Sequence, residues 1–257
     1  MKTGFKVFLL LELDSETIDT KLEYHNTLNS KLWDLSDKPE DVTLKADVKT
    51  ALDKIAKEFI EFLEISPSDV KDIIITGSNA SFNYALGLSD IDLHIVADFS
   101  NNETCKQCTN EFVNSCFQSK KTLWNGTHDI KVKDQPVELY VQDANEPHIA
   151  SGVWSLMNDK WLIIPTYIPN TYDTTSVKIK AAELMTQIDD MINSQSDDIQ
   201  SFDKLKEKIR NMRKSGLQSG GEFSVENLAF KTLRNNGYLE KLSNYLIKIK
   251  DKGLSLE

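Results

Sequence analysis

Two apolar runs joined by a polar link constrain this chain more than any other feature. Ile73-Ile74-Ile75 is β-branched and is followed at once by Thr76-Gly77-Ser78, the pattern of a buried strand ending in a turn. From Ile91 to Val96 apolar Ile91, Leu93 and Ile95 alternate with polar Asp92 and His94, which reads as a second strand. Alternation puts Asp90 and Asp92 on one face, close enough to share a hard cation. Mg²⁺ favours such a place, with one or two carboxylates, some water, and phosphate oxygens completing its shell. Gly77 lets backbone approach a phosphate closely, and Ser78 adds a hydroxyl. A short helix beginning at Asn79 or Ala80 would point free N–H groups at an anion. Taken alone, Gly-Ser is a turn and Asp-x-Asp is a solvated strand face. Together they suit the holding of a nucleoside triphosphate, such as ATP, and its metals.

Around this centre the chain divides into three stretches. Residues 1–45 read as an irregular segment after the apolar run Val7 to Leu11. Residues 46–150 read as a mixed lobe. It opens with a helix whose inner face is Val48, Ala51, Leu52, Ile55, Ala56, Phe59, Ile60 and Leu63. Ser66-Pro67-Ser68 ends that helix. The lobe continues with a helix over Thr104 to Phe117. Two strands follow, His128 to Val132 and Val137 to Val141, joined by a turn at Asp134-Gln135-Pro136. Residues 151–257 read as a helical lobe, because strand signals fade there. One stripe is Ala181, Leu184, Met185, Ile188, Met191 and Ile192, and another is Leu205, Ile209 and Met212. Past Gly220-Gly221, Ser224 is placed to cap a last helix with Leu228, Ala229, Thr232 and Leu233 inward. The fold class is therefore α/β of the α+β kind: a short mixed sheet with helices, then a mostly helical lobe.

Charge narrows the partners. Of a formal net −10, residues 176–257 hold 14 Lys and Arg against 12 Asp and Glu, while the first 175 carry 16 against 28. An acidic body repels long nucleic acids unless a local basic surface overrides it. That speaks against a template-extending polymerase, yet not against an enzyme that touches a nucleic-acid end. The run Val7 to Leu11 is too short for a membrane span and no small-residue cleavage site follows it, so the expected location is a cytoplasm. Cys105, Cys108 and Cys116 form an odd set with no second pair to complete a zinc site. On a helix Cys105 and Cys108 share a face, which is ordinary packing.

The string from Gly77 to Val96, GSNASFNYALGLSDIDLHIV, resembles the Gly-Ser…Asp-x-Asp signature of the polymerase-beta-like nucleotidyltransferase superfamily. That resemblance covers about residues 70–142. The segments VELYVQDANEPHIASGVWSLMNDKW and GEFSVENLAFKTLRNNGYL resemble small nucleotidyltransferase-domain proteins of tailed phages, which would place the protein in the cytoplasm of a bacterial host. The superfamily resemblance implies a third carboxylate on a neighbouring strand, and the matching position is Glu138. It implies a two-metal site of Asp90, Asp92 and Glu138 holding Mg²⁺ or Mn²⁺ with a bound nucleoside triphosphate. One ion activates the attacking hydroxyl and the other neutralises triphosphate and leaving pyrophosphate. The superfamily more often has Asp at the third position. Glu is one methylene longer, so either its strand sits further back or it binds metal only with substrate. Acceptors in the superfamily range over RNA ends, small alcohols, protein hydroxyls and second nucleotides. The alternative is a catalytically weak nucleotide-binding or antitoxin-like module on the same fold.

Other residues have two readings each. Ser81, Asn83 and Tyr84 could touch phosphate or ribose, or cap the turn and pack. His94 shares the Asp92 face and could line the site or sit beside it, whereas His128 and His148 have no helpful partner spacing. Trp154 and Trp161 could stack on a base or fill a seam between lobes. Lys206, Arg210, Arg213 and Lys214 form one helical face. That is a normal solvated surface, or a stripe that meets an anionic substrate.

Overall fold

The stretch read as irregular holds part of the core. In the computed structural model, which describes residues 17–99, 108–146, 150–167, 169 and 172–255, strand β1 (Trp33–Asp34) pairs antiparallel with β2 (Thr43–Leu44). Leu28, Leu32, Trp33, Val42 and Leu44 are buried in the main cluster. They ride on turns and two-residue strands, so neither the helical nor the strand period announces them. Helix α1 (Ala46–Leu63) follows and buries Val48, Leu52, Ala56, Phe59 and Leu63, as its periodicity predicts. Glu64 closes it in the left-handed conformation, with φ 59°.

The two apolar runs become β3 (Val70–Thr76) and β4 (Ile91–Ala97), antiparallel neighbours with Thr76 opposite Asp92. Helix α2 (Asn110–Thr127) is capped by Thr109 and runs ten residues past the expected end at Phe117. The first residues of the expected helix, 104–107, lie outside the described ones. Next come β5 (Lys131–Val132) and β6 (Gln135–Asp143). Their turn is Lys133-Asp134, with φ 52° and 65°, not Asp134-Gln135-Pro136. A two-residue hairpin of this hand wants positive φ at both centres, which Pro136 cannot adopt. Pro136 sits inside β6 instead, opposite Lys131.

Strands do not end near residue 150. β7 (Val153–Ser155) pairs with β3, and β8 (Lys160–Ile163) pairs with β7. The sheet order is β5-β6-β4-β3-β7-β8, mixed because β4 and β6 run parallel. A parallel pair needs a crossover, and α2 with β5 supplies it. β7 is wholly buried, so it lacks the alternation that reveals a strand with one wet face.

Two compact units divide the chain at Leu22/Glu23 and Ile168/Pro169. The sheet unit is Glu23–Ile168. The other unit joins residues 17–22 to the described residues from 169 to 255 and is helical: α3 (Thr174–Asn193), α4 (Ile199–Gly220), α5 (Val225–Asn235) and α6 (Tyr238–Leu254). Asp173, Asp198 and Ser224 cap α3, α4 and α5 by accepting from backbone N–H groups three residues on. The expected stripes bury Ala181, Leu184, Met185, Ile188, Leu205 and Ile209 together. Lys21 and Asp19 belong here because their carbonyls accept from the Asn235 and Asn236 amides. No helix among the described residues is long and apolar enough to cross a membrane.

Candidate metal and phosphate site

Strand register brings the carboxylates together. Asp92 is the direct neighbour of Glu138 across the parallel pair of β4 and β6, and Asp90 lies just before β4. Each of Asp90, Asp92 and Glu138 offers one oxygen within 4.8 Å of the other two. All three are half-buried. An all-carboxylate donor set on one sheet face is the chemistry Mg²⁺ and Mn²⁺ prefer. The longer Glu138 thus reaches the aspartates from a directly paired strand position.

The turn beside them is built for close approach. Gly77 has φ 75°, and a Cβ there would overlap Oδ2 of Asp92. Only glycine lets this carboxylate lie against the turn. The expected helix at Asn79 or Ala80 is absent. A single 3-10 turn, Ser78–Ala80, ends at an extended Ser81 (φ −143°), so no helix amino-terminus faces a phosphate here. Asn79 explains why. Its side chain is fully buried and turns inward, donating to the carbonyls of Ser89 at 3.1 Å and Asp90 at 2.8 Å. Its Oδ1 accepts from buried Asn29 at 2.9 Å, and its backbone carbonyl accepts from Trp33 Nε1 at 2.8 Å. This network fixes the backbone that carries Asp90. Ser78 Oγ donates to Ser89 Oγ at 2.9 Å, so a phosphate could take that proton only if the hydroxyl turned.

Lys121, absent from the sequence reading, reaches the site from α2. Asn125 donates to the Leu139 carbonyl at 3.0 Å and accepts from the Leu139 N–H at 3.1 Å. Its amide thereby pairs with the edge of β6 beyond its short ladder with β5. One helical turn earlier, Lys121 Nζ lies 3.3 Å from Glu138 Oε1 and 3.7 Å from the centroid of the Tyr140 ring. Tyr140 stands two residues on from Glu138, on the same face of β6. Burial, then the charges of Asp92 and Glu138, pushes its pKa far up, so it stays a neutral donor. His94 stacks on Tyr140 at 4.6 Å and shares a hydrogen bond with Gln142. A Lys at i and an Asn at i+4 on α2 was the available signal, but nothing local says which strand they meet.

Most of the other candidates are engaged by their own neighbours. Ser81 is buried and donates within its own turn, 3.2 Å from the Ser78 carbonyl and 2.6 Å from Asn83 Oδ1. Tyr84 is buried and stacks on His25 at 3.9 Å. Trp154 and Trp161 pack with Trp33 as core, and Trp161 donates to the Val42 carbonyl, so neither is offered to a base. On α4, Lys206 bonds Ser243 and Arg213 lies over the Phe230 ring, whereas Arg210 and Lys214 are exposed. His128 stacks on Trp124. Cys108 and Cys116 are not joined in a disulfide, while Cys105, His148 and the run Val7 to Leu11 lie outside the described residues.

No family model matches the chain, and no curated protein does. Among solved structures, the chain is similar to a STING-associated CdnE c-di-GMP synthase from Capnocytophaga granulosa. The identity is 10%, coverage is 81% of each chain, and the TM-score is 0.23. A likeness of that size carries no argument, so the functional reading rests on this chain's own residues.

Proposed function

We propose that the protein is a metal-dependent nucleotidyltransferase, moving a nucleoside monophosphate from a nucleoside triphosphate to an acceptor hydroxyl. The observation that carries this reading is the set of three carboxylate oxygens, mutually within 4.8 Å, beside a turn that only Gly77 fits. The resemblance of residues 77–96 to the polymerase-beta-like signature supports it. Asp90, Asp92 and Glu138 hold Mg²⁺ or Mn²⁺, two ions when the triphosphate is present. When bound, these ions neutralise phosphate charge and lower the pKa of the acceptor hydroxyl. Asp90 and Asp92 face the triphosphate, and Glu138 orients the acceptor oxygen toward the α-phosphorus. The Gly77-Ser78 backbone lies along the phosphates, with the Ser78 hydroxyl turned from Ser89. The acceptor oxygen bonds to the α-phosphorus, its proton passes to solvent water, and the bond from the α-phosphorus to the oxygen bridging to the β-phosphate breaks to release pyrophosphate.

The test is incubation with each labelled ribonucleoside and deoxyribonucleoside triphosphate, with Mg²⁺ or Mn²⁺. A second nucleotide, an RNA and a small-molecule fraction serve as acceptors. The reading expects pyrophosphate and a nucleotidylated product that Asp92→Asn fails to make. No pyrophosphate under any condition would favour a binding module on the same fold.

A further inference from the structure

The carboxylate cluster is not surrounded only by carboxylates. Lys121 carries the ion-pairing cation for Glu138, and its side chain is only 17% exposed. Its Nζ stands over the Tyr140 ring, on the same ring that His94 stacks against. The Asn125 amide on β6 holds this turn of α2 in place, so the ammonium is a fixed part of the site and not a wandering surface charge. On the reading that the cluster binds divalent ions, we infer that Lys121 acts as a built-in counter-cation at the Glu138 end. It excludes a second ion from the free protein and leaves Asp90 and Asp92 to hold the first.

An ion at Glu138 sits about 2 Å from a carboxylate oxygen. Given the 3.3 Å from Nζ to Oε1, such an ion lies no more than about 8 Å from the ammonium. That is within one Debye length at physiological ionic strength, on a half-buried face where screening is weaker than in bulk water. A dication there must either displace the ammonium from Glu138 or bear its repulsion. Triphosphate anions change the balance, because they bring negative charge for both cations. Lys121 is thus a positioning residue: it makes occupancy of the second site depend on substrate and keeps the acceptor-side carboxylate neutralised before substrate arrives.

The test counts bound Mn²⁺ by electron paramagnetic resonance, without nucleotide and without turnover. Wild type is compared with Lys121→Met, which keeps the apolar stem over Tyr140, and Lys121→Arg, which keeps the charge. Lys121→Met is expected to take up a second Mn²⁺ and to tighten binding on the order of tenfold, with Lys121→Arg near wild type. Lys121→Gln repeats the measurement should the Met variant unfold. Unchanged or weaker Mn²⁺ binding in Lys121→Met would overturn the inference alone, leaving Lys121 as a strut for Glu138. Mn²⁺ binding that Asp90→Asn and Asp92→Asn leave intact would overturn the metal site itself, and this inference with it.

Discussion

Asn79 has no exposed surface, yet its side chain holds together three separate pieces of chain. It donates to the Ser89 and Asp90 carbonyls and accepts from Asn29. Replacing it with alanine leaves those groups buried without partners, at about 1–3 kcal/mol for each group stranded. Asn79→Ala is therefore expected to lose about 3 kcal/mol or more in urea unfolding and to weaken Mn²⁺ binding by loosening Asp90. A loss below about 1 kcal/mol would mean that water or a neighbour replaces the amide and that the network does not hold the turn. Asp90 and Asp92 were legible because alternation along β4 and the residue just before it puts them on a common face. Gly77 was legible as a turn, although its reason, the Asp92 carboxylate against its Cα, needed the fold. Asn79 and Lys121 were not legible. Their partners lie at residues 29, 89, 90 and 138, and a lone polar residue has no period to betray which strand it will meet.

At the scale of elements, the site depends on a strand too short to announce itself. β7 has three residues, all buried, and follows Gly152, where a Cβ would overlap the Ala80 carbonyl oxygen. The backbone before β7 thus packs directly on the last residue of the 3-10 turn after Gly77. Gly152→Ala must push that turn or break the start of β7, because its neighbour is backbone and cannot swing aside. The expected outcome is a clear fall in thermal midpoint together with weaker triphosphate binding. A midpoint equal to wild type would show that the turn and β7 are not in rigid contact. The long amphipathic helices α1, α3 and α4 were readable from their stripes, and so were β3 and β4. The hairpin turn was misplaced by the pull of Pro136, a turn former that sits at a strand start. The expected phosphate-facing helix failed because Asn79 finds better partners inward than a helix would offer.

At the scale of the molecule, the two large apolar clusters among the described residues share no residue. One draws its buried residues from Leu28 to Leu156, the other from Ala181 to Ile249. The expected lobe of residues 46–150 omits Trp33, Leu44, Trp154 and Leu156, all fully or nearly buried in the first core. A fragment of residues 23–168 is expected to unfold cooperatively by circular dichroism, and one of residues 46–150 is not. Equal cooperativity in both would place the boundary where the sequence alone put it. The central claim is that Asp90, Asp92 and Glu138 act with a nucleoside triphosphate as one metal-dependent site. Mg²⁺ gives up water reluctantly and is usually completed by substrate phosphates, so ion and triphosphate should bind cooperatively. The most direct measurement is calorimetric titration of nucleoside triphosphate with Mg²⁺ and with chelator, in wild type and in Asp92→Asn. The account predicts affinity that Mg²⁺ strengthens at least tenfold in wild type and does not strengthen in Asp92→Asn, with unfolding midpoints alike. Triphosphate binding indifferent to chelator, or a Mg²⁺ effect that survives in Asp92→Asn, would contradict it.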